Sequence, residues 1–257
     1  MKLGLINGVS GKALYFFLLK NKKKTKQGQR LLNIVAQNIY NSNDYSFENG
    51  IVGFGWLIAF LSQEKYIKIN SDDILEDFDD QIYKLTLNET SKENINITTL
   101  LGLTNYHIIR HRNKNLNEQY YRKFIHEICL NLIFEKLILY IKDSISKEKV
   151  KKKQILSCCQ ILMRLSYSMN YLNNKMINTI LIEYTSFFIS YIKNNKLQIK
   201  HYKKELLYIL ITTNNQKYMI LKNEIPIADS KFYIKKNIKN IKETIFILTN
   251  VYCKKSF

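Results

Sequence analysis

The sequence predicts an all-α protein built as an array of helical hairpins, and three observations support this prediction. Proline occurs only once in 257 residues, at Pro226, so almost nothing interrupts long helices. Apolar residues recur at helical spacing along most of the chain. A glycine-containing pattern is repeated at steps of 42 and 49 residues, which lies in the range of helical-hairpin repeats.

The repeated pattern places glycines at the start of three predicted helices. The copies are Asn7-Gly8-Val9-Ser10-Gly11, Asn49-Gly50-Ile51-Val52-Gly53 and the weaker Thr98-Thr99-Leu100-Leu101-Gly102, with Gly55 just after the second. Asn or Thr is expected to cap each helix, and the glycines lie on one face of its opening turns. Because a glycine within a helix costs about 1 kcal/mol relative to alanine, the pattern predicts a close approach there, either of another hairpin or of a ligand.

If these turns line a cavity, four neighbouring side chains are expected at its mouth. They are Asn7, Glu48, Asn49 and Trp56. The helix-end amides near Glu48 would stabilise its charge. The alternatives are that Glu48 only caps a helix and that Trp56 packs in the core.

The first half of the chain contains four further predicted elements. Leu14–Leu19 and Leu31–Tyr40 are apolar helical stretches separated by a lysine-rich loop, Lys20–Lys26. The second glycine motif opens the apolar helix Phe54–Leu61. Ser71-Asp72-Asp73 is expected to cap a helix that runs through Tyr83.

After Gly102 no glycine occurs, and long amphipathic helices are predicted to follow. Apolar stripes run through residues 117–142, 177–191 and 234–252. We therefore expect one helical domain over residues 1–257, with glycine-turn hairpins in 1–112 and long amphipathic helices in 113–257.

The formal charge of +19 raises the question of nucleic-acid binding. Only five of the 40 basic residues are arginine, and the basic runs lack interleaved aromatic residues. Segments 1–70, 71–93 and 94–257 carry +7, −6 and +18. The sequence therefore predicts only weak, nonspecific and salt-sensitive binding to nucleic acid, although a basic nucleic-acid-associated protein remains an alternative.

The composition also bears on compartment and redox state. No uninterrupted apolar run of 18 residues occurs, so we expect no membrane span and a cytoplasmic location. Cys129, Cys158, Cys159 and Cys253 have no disulfide-framework spacing, which favours reduced thiols.

Two groups of polar residues could carry chemistry. The acidic set could supply paired carboxylates for glycoside hydrolysis, but six acids within nine residues favour a mostly solvated helix. These acids are Asp72, Asp73, Glu76, Asp77, Asp79 and Asp80. The second group comprises His107 and His111, spaced like a metal pair, with His126 and Cys129 on a later helix. Since Arg110 and Arg112 flank the first pair, we favour ordinary histidines and expect no metal site.

Three segments resemble the lanthionine synthetase C-like family, most closely its bacterial members. They are residues 4–11 (Gly-Leu-Ile-Asn-Gly-Val-Ser-Gly), residues 47–56 (Phe-Glu-Asn-Gly-Ile-Val-Gly-Phe-Gly-Trp) and Leu100-Leu101-Gly102-Leu103 with Tyr106. The resemblance covers residues 1–112. It implies an α/α toroid, in which hairpins form two concentric rings with glycine turns near one mouth. The chain is short for a complete ring of seven hairpins, so a partial toroid is also expected.

The resemblance further implies a chemistry that this chain lacks the motifs to perform. Cyclases of the family hold zinc with two cysteines and a histidine, and the metal activates a peptide cysteine for addition to a dehydrated serine or threonine. Here no Cys-His-Gly occurs, and the only tryptophan, Trp56, precedes Leu57. We therefore expect no cofactor, and no zinc ligand is carried over.

The resemblance, the missing zinc motifs and the basic charge together imply a protein that binds a precursor or leader peptide, or a peptide-modifying enzyme, and they leave open whether it is itself an enzyme. An active thioether-forming cyclase with unconventional zinc ligands is the alternative. Its ligands would come from His107, His111, His126, Cys129, Cys158 and Cys159.

Overall fold

The computed structural model describes residues 2–6, 8–113, 120–146, 150–168, 172, 175–194 and 245. These described residues form nine α-helices and no β-strand, so the all-α prediction is confirmed for them. The helices are α1 (Val9–Leu18), α2 (Lys22–Ile39), α3 (Ile51–Gln63), α4 (Ser71–Ile74), α5 (Glu76–Ser91), α6 (Ile97–His111), α7 (Tyr120–Ile145), α8 (Lys152–Ser168) and α9 (Lys175–Asn194). None of them is both long enough and apolar enough to cross a membrane.

The described residues group into two compact units. The first contains α1 to α6, the part of α7 up to Ile133, and Ile245. The second contains α7 from Phe134 onward, α8 and α9. The expectation of a single domain remains a prediction, as does the division into residues 1–112 and 113–257.

The core of the first unit is centred on α3. Its sequence, IVGFGWLIAFLSQ, is apolar around the whole helix, and every residue from Ile51 to Leu61 is buried. A helix that is apolar on all sides is stable only when other elements surround it. Accordingly, α3 packs against α1, α5 and α6, while α2 packs against α1.

The helix starts differ from the predicted ones. The N-cap of α3 is Gly50 rather than Asn49, and its first amide, on Ile51, donates to the carbonyl oxygen of Asp44 at 2.8 Å. At the start of α1, the amide of Val9 likewise donates to the carbonyl of Lys2 at 3.0 Å. The Asn-cap prediction is therefore wrong for α3, because the preceding backbone folds back and satisfies the free amides.

Three other predicted boundaries also need correction. The lysine-rich segment 20–26 is not all loop, since Asn21 caps α2 through the amides of Lys23 and Lys24. Asn96 rather than Thr98 caps α6. The predicted helix through Tyr83 is two helices, α4 and α5, which meet at Leu75, and Asn70 caps the first of them.

In the second unit, α8 contributes a long buried segment. Its residues from Ile161 to Ser168 are all buried, and α9 packs against it. The apolar stripe predicted in residues 177–191 faces inward at Ile177, Leu181 and Phe188. The stripe predicted in residues 234–252 lies outside the described residues except for Ile245, which is buried.

Candidate functional site

The three glycine turns meet on one short segment of the first unit, which we call the glycine junction: Gly4, Gly50, Gly53 and Gly102 around residues 47–49. A Cβ atom at Gly4 would lie 2.6 Å from Cα of Asn49, and one at Gly102 would lie 2.7 Å from Cβ of Phe47. A Cβ at Gly53 would collide with the carbonyl oxygen of Phe47. The junction is thus close-packed backbone at Gly4 and Gly53, and backbone against the Phe47 side chain at Gly102. Close packing is the simpler of the two explanations for the repeated glycines.

Hydrogen bonds join the first two turns directly. The carbonyl oxygen of Glu48 accepts from the amides of Leu5, at 2.8 Å, and Ile6, at 3.0 Å. The amide of Gly11 donates to the carbonyl of Gly4 at 3.3 Å, and Gly8 also packs on the backbone of Gly4. The segment before α1 is therefore attached to the segment before α3 by main-chain contacts.

The side chains expected at a cavity mouth have different environments. Glu48 and Asn49 are exposed at the glycine junction. Trp56 is 2% exposed and stacks on Phe60 with ring centroids 5.2 Å apart, so here it is a core residue. Asn7 lies outside the described residues.

A buried polar cluster, which sequence reasoning missed, lies between α5, α6 and α7 of the first unit. Its centre is the Asp79 carboxylate, which accepts from Nε of Arg110 at 3.0 Å, from Nη2 of Arg110 at 2.6 Å and from the hydroxyl of Tyr106 at 2.6 Å. The bidentate geometry makes this a strong charge-assisted contact. We call the following residues the polar core: Asp79, Thr86, Tyr106, His107, Arg110 and His126.

The pKa shifts in the polar core follow from these contacts. Burial alone would lower the pKa of Arg110, but hydrogen bonding to Asp79 and the attraction of that carboxylate raise it above its ordinary value. Burial, with the nearby Asp79 charge, raises the pKa of Tyr106 well above its ordinary value. Arg110 therefore remains a cation and Tyr106 remains a hydrogen-bond donor at neutral pH.

A second carboxylate and a second arginine extend the cluster. Asp72 lies 2.9 Å from Nη2 of Arg110 and accepts from the side chain of Asn113 at 2.7 Å. Arg122 on α7 lies 3.2 Å from Asp79 and 2.7 Å from Glu76. Each buried charge thus has an opposite charge beside it, as burial requires.

The acidic set therefore divides into two groups. Four of its members are exposed, as the solvated-helix interpretation predicts: Asp73, Glu76, Asp77 and Asp80. The interpretation does not fit Asp72 and Asp79, which are buried. Both of these carboxylates contact Arg110, so neither is arranged as a free acid or base for glycoside hydrolysis.

Two buried histidines complete the polar core. Nδ1 of His107 lies 2.9 Å from Nδ1 of His126, and Nε2 of His107 lies 2.8 Å from the hydroxyl of Thr86. Nε2 of His126 lies 3.5 Å from Asp79. The pair joins α6 to α7 and, through Thr86 and Asp79, to α5.

Both imidazoles are held in the neutral form. Burial lowers the pKa of His107 well below its ordinary value; a proton on His126 would lower it further, and Asp79 opposes these effects only in part. Burial also lowers the pKa of His126 well below its ordinary value; the cations Arg110 and Arg122 act in the same direction, as would a protonated His111.

A hydrogen bond between the two Nδ1 atoms needs one hydrogen, which either ring can carry. The surrounding groups favour one of these two arrangements. Because the Asp79 carboxylate faces Nε2 of His126, that nitrogen is best protonated. Nδ1 of His107 then donates to Nδ1 of His126, and the hydroxyl of Thr86 donates to Nε2 of His107. In the opposite arrangement, Thr86 donates to the carbonyl of Ile82 at 2.8 Å, and a lone pair of His126 faces the carboxylate.

The candidate metal ligands are not assembled as the spacing suggested. His107 pairs with His126 and not with His111, which is half-buried and lies 3.8 Å from Glu127. Within the described part of the chain, no group of three His, Cys, Asp or Glu side chains could hold a metal ion. Burial raises the pKa of Cys129 to about 12 and that of Cys158 to about 11, which disfavours thiolate formation.

Fold and site together define a helical protein whose glycine turns pack backbone to backbone beside a closed polar core. A scan against protein-family models finds none that matches the chain, and searches of curated proteins and of solved structures find no match either.

Proposed function

We propose that this is a lanthionine synthetase C-like protein that acts, without zinc, in the modification of a ribosomally made peptide by binding that peptide or its modifying enzyme. The glycine junction is the observation that carries the proposal. Turns from three parts of the chain that resemble this family meet at residues 47–49. A toroid requires its glycine turns to lie near one mouth, and such a meeting point fits that requirement.

The chemistry of the polar core favours binding over catalysis. A cyclase must present metal ligands and convert a thiol to a thiolate. In this protein, the facing nitrogens of His107 and His126 are used in their mutual hydrogen bond, and Arg110 adds positive charge nearby. The raised pKa of Cys129 also opposes the activation that a cyclase needs.

The exposed edge of the glycine junction is the proposed contact surface. Asn49 offers an amide that can both donate and accept hydrogen bonds, and Glu48 adds a carboxylate beside it. The chain as a whole carries a formal charge of +19, of which residues 1–70, including this edge, contribute +7. An acidic leader segment is therefore the peptide chemistry that we propose, and we place this activity in the cytoplasm.

Fluorescence anisotropy with labelled precursor peptides encoded beside this protein tests the proposal. An acidic precursor should bind, and a scrambled peptide of the same composition should bind more weakly. Asn49→Ala should weaken binding by roughly fivefold, the effect of one net hydrogen bond. Asn88→Ala, at an exposed position on α5, is the matched control and should leave affinity unchanged.

Three results would count against this proposal. If the scrambled peptide bound equally well, binding would depend on the charge of the peptide and not on its sequence. An unchanged affinity in Asn49→Ala would remove the glycine junction from the contact surface. Thioether formation on a dehydrated precursor, measured as loss of free thiols by mass spectrometry, would instead favour the cyclase alternative.

A further inference from the structure

We propose that the His107–His126 contact is an acid-operated switch, which at mildly acidic pH releases residues 120–133 of α7 from α6 within the first unit. The starting observation is geometric. Two Nδ1 atoms 2.9 Å apart have room for one hydrogen between them. If both rings carried a hydrogen on that nitrogen, two donors would face each other, and the contact would break.

The polar core can take up one added proton but not two. The first can enter at Nε2 of His107 if Thr86 turns its hydroxyl to the carbonyl of Ile82, whereas the second would place a hydrogen on Nδ1 of His126 facing the Nδ1–H of His107. The neutral pair already uses all four ring nitrogens, two in the mutual contact, one with Thr86 and one facing Asp79. The side chains of His107 and His126 are nearly inaccessible to water, at 0% and 3% exposed. An imidazolium there would therefore lack the solvation that it has in the unfolded chain.

The charges around the pair also oppose protonation. Asp79 is the acidic group facing it, and this carboxylate is already engaged by Tyr106, Arg110 and Arg122. The surrounding titratable and charged groups on the packed elements are Asp72 on α4, Glu76 and Asp79 on α5, Tyr106, Arg110 and His111 on α6, and Arg122, Lys123, Glu127 and Cys129 on α7. The carboxylates in this set already have partners: Asp72 and Asp79 contact Arg110, Glu76 contacts Arg122, and Glu127 contacts His111. None of them is therefore left to stabilise a new positive charge.

An outer contact between the same two helices, His111 with Glu127, responds in the same direction but less strongly, because burial lowers the pKa of His111 and the nearby Glu127 partly opposes that shift. His111 and Glu127 lie 3.8 Å apart, and protonation of His111 would strengthen this pair. Glu127 is 51% exposed, however, so solvent screens the attraction. The buried pair therefore determines most of the response.

The pH window follows from the pKa shifts. Both buried histidines have a pKa lowered from about 6.5, so the unfolded chain binds protons that the folded chain excludes. Stability is fully present above pH 6.5 and is lost as pH falls below it. The unfolding constant rises by up to about tenfold per pH unit for each such histidine. Between pH 6.5 and 5 ordinary carboxylates remain mostly ionised, so the window reports on the histidines.

Hydrogen exchange of the full-length wild-type protein tests the switch without any substitution. After correction for the intrinsic pH dependence, exchange in residues 120–133 should accelerate between pH 7.5 and 5.5, while exchange in Ile51–Gln63 of α3 should not. Equal acceleration in both segments would show ordinary global destabilisation and overturn the proposal. Unchanged exchange in residues 120–133 would overturn it as well.

Urea unfolding of variants identifies the residues responsible. His107→Gln/His126→Gln should flatten the pH dependence between 6.5 and 5.5, because Gln does not titrate. His111→Gln is the matched control on α6 and should retain most of the wild-type slope, because the pKa of His111 is lowered less than the pKa values of the buried pair. A slope that persists in the double variant, or that disappears in His111→Gln, would contradict the assignment to the buried pair.

Discussion

The glycine junction and the polar core stabilise the same unit by opposite physical means. At the junction, Gly53 and Gly102 allow close approach because they have no side chain, and main-chain bonds such as that from Leu5 to Glu48 join the turns. In the polar core, long charged side chains reach across helices and satisfy one another. One compact unit can therefore be stabilised in two ways: by close backbone approach where side chains are absent, and by charged side chains that are paired with one another.

Tyr106 connects the polar core to α3, the helix that carries Gly53 of the glycine junction. Its ring lies against Gly55, where a Cβ atom would be 2.6 Å from the ring carbon Cε2, and its hydroxyl donates to Asp79. The close approach of α3 to α6 at Gly55 thus positions the donor that the carboxylate needs. Substitutions in the polar core and at the glycines therefore measure separately what each region contributes to the free energy of unfolding.

The largest effect is expected from Asp79→Asn, which removes the central charge of the polar core. Arg110 and Arg122 would lose their shared partner, and removal of one member of a buried ion pair costs about 3–5 kcal/mol. The free energy of unfolding from urea titration measures this loss. Asp80→Asn, an exposed neighbour on the same helix, should change stability by less than about 0.5 kcal/mol. Similar losses in both variants would contradict the account.

A smaller loss is expected from Gly53→Ala at the glycine junction. The new methyl group would collide with the carbonyl oxygen of Phe47, and overpacking of this kind costs about 1–3 kcal/mol. Gly28→Ala in α2 is the matched control, because its Cβ would meet the Phe17 ring at 3.1 Å and alanine improves helix propensity by about 1 kcal/mol. Urea unfolding should rank Gly53→Ala as the more damaging substitution; the reverse order would contradict the close packing described here.

The smallest effect is expected from Tyr106→Phe, which removes one hydroxyl and keeps the ring against Gly55. Asp79 would lose one donor but keep Arg110 and Arg122, so we expect a loss of about 1 kcal/mol. Tyr83→Phe, at a half-buried position on α5, should be nearly neutral. A loss in Tyr106→Phe as large as that in Asp79→Asn would show that the hydroxyl, and not the ion pair, dominates the core.

The sequence predicted the helical fold and the close approach at the glycines because both depend on local rules. Helical periodicity is visible within one segment, and a repeated glycine has a known cost in a helix. The cap of α3 could not be predicted in this way. It depends on Asp44, whose carbonyl reaches the start of the helix only because the intervening turn folds back.

The polar core was not predicted, because its contacts join residues that are far apart in the chain. The i, i+4 spacing favoured His107 with His111, whereas the structure pairs His107 with His126. Which acids point inward depends on the break at Leu75 and on the approach of Arg110. One usable signal was present: arginine is scarce in this lysine-rich chain, and its planar fork suits bidentate contacts with carboxylates that lysine cannot make.

Long-range ¹H–¹⁵N NMR of the histidine rings at pH 7.5 tests the central claim most directly, because it reports the protonation of each ring nitrogen. We predict that His107 is neutral with its hydrogen on Nδ1 and that His126 is neutral with its hydrogen on Nε2. A positively charged ring, a metal-bound nitrogen or the same tautomer on both rings would contradict the account of the polar core.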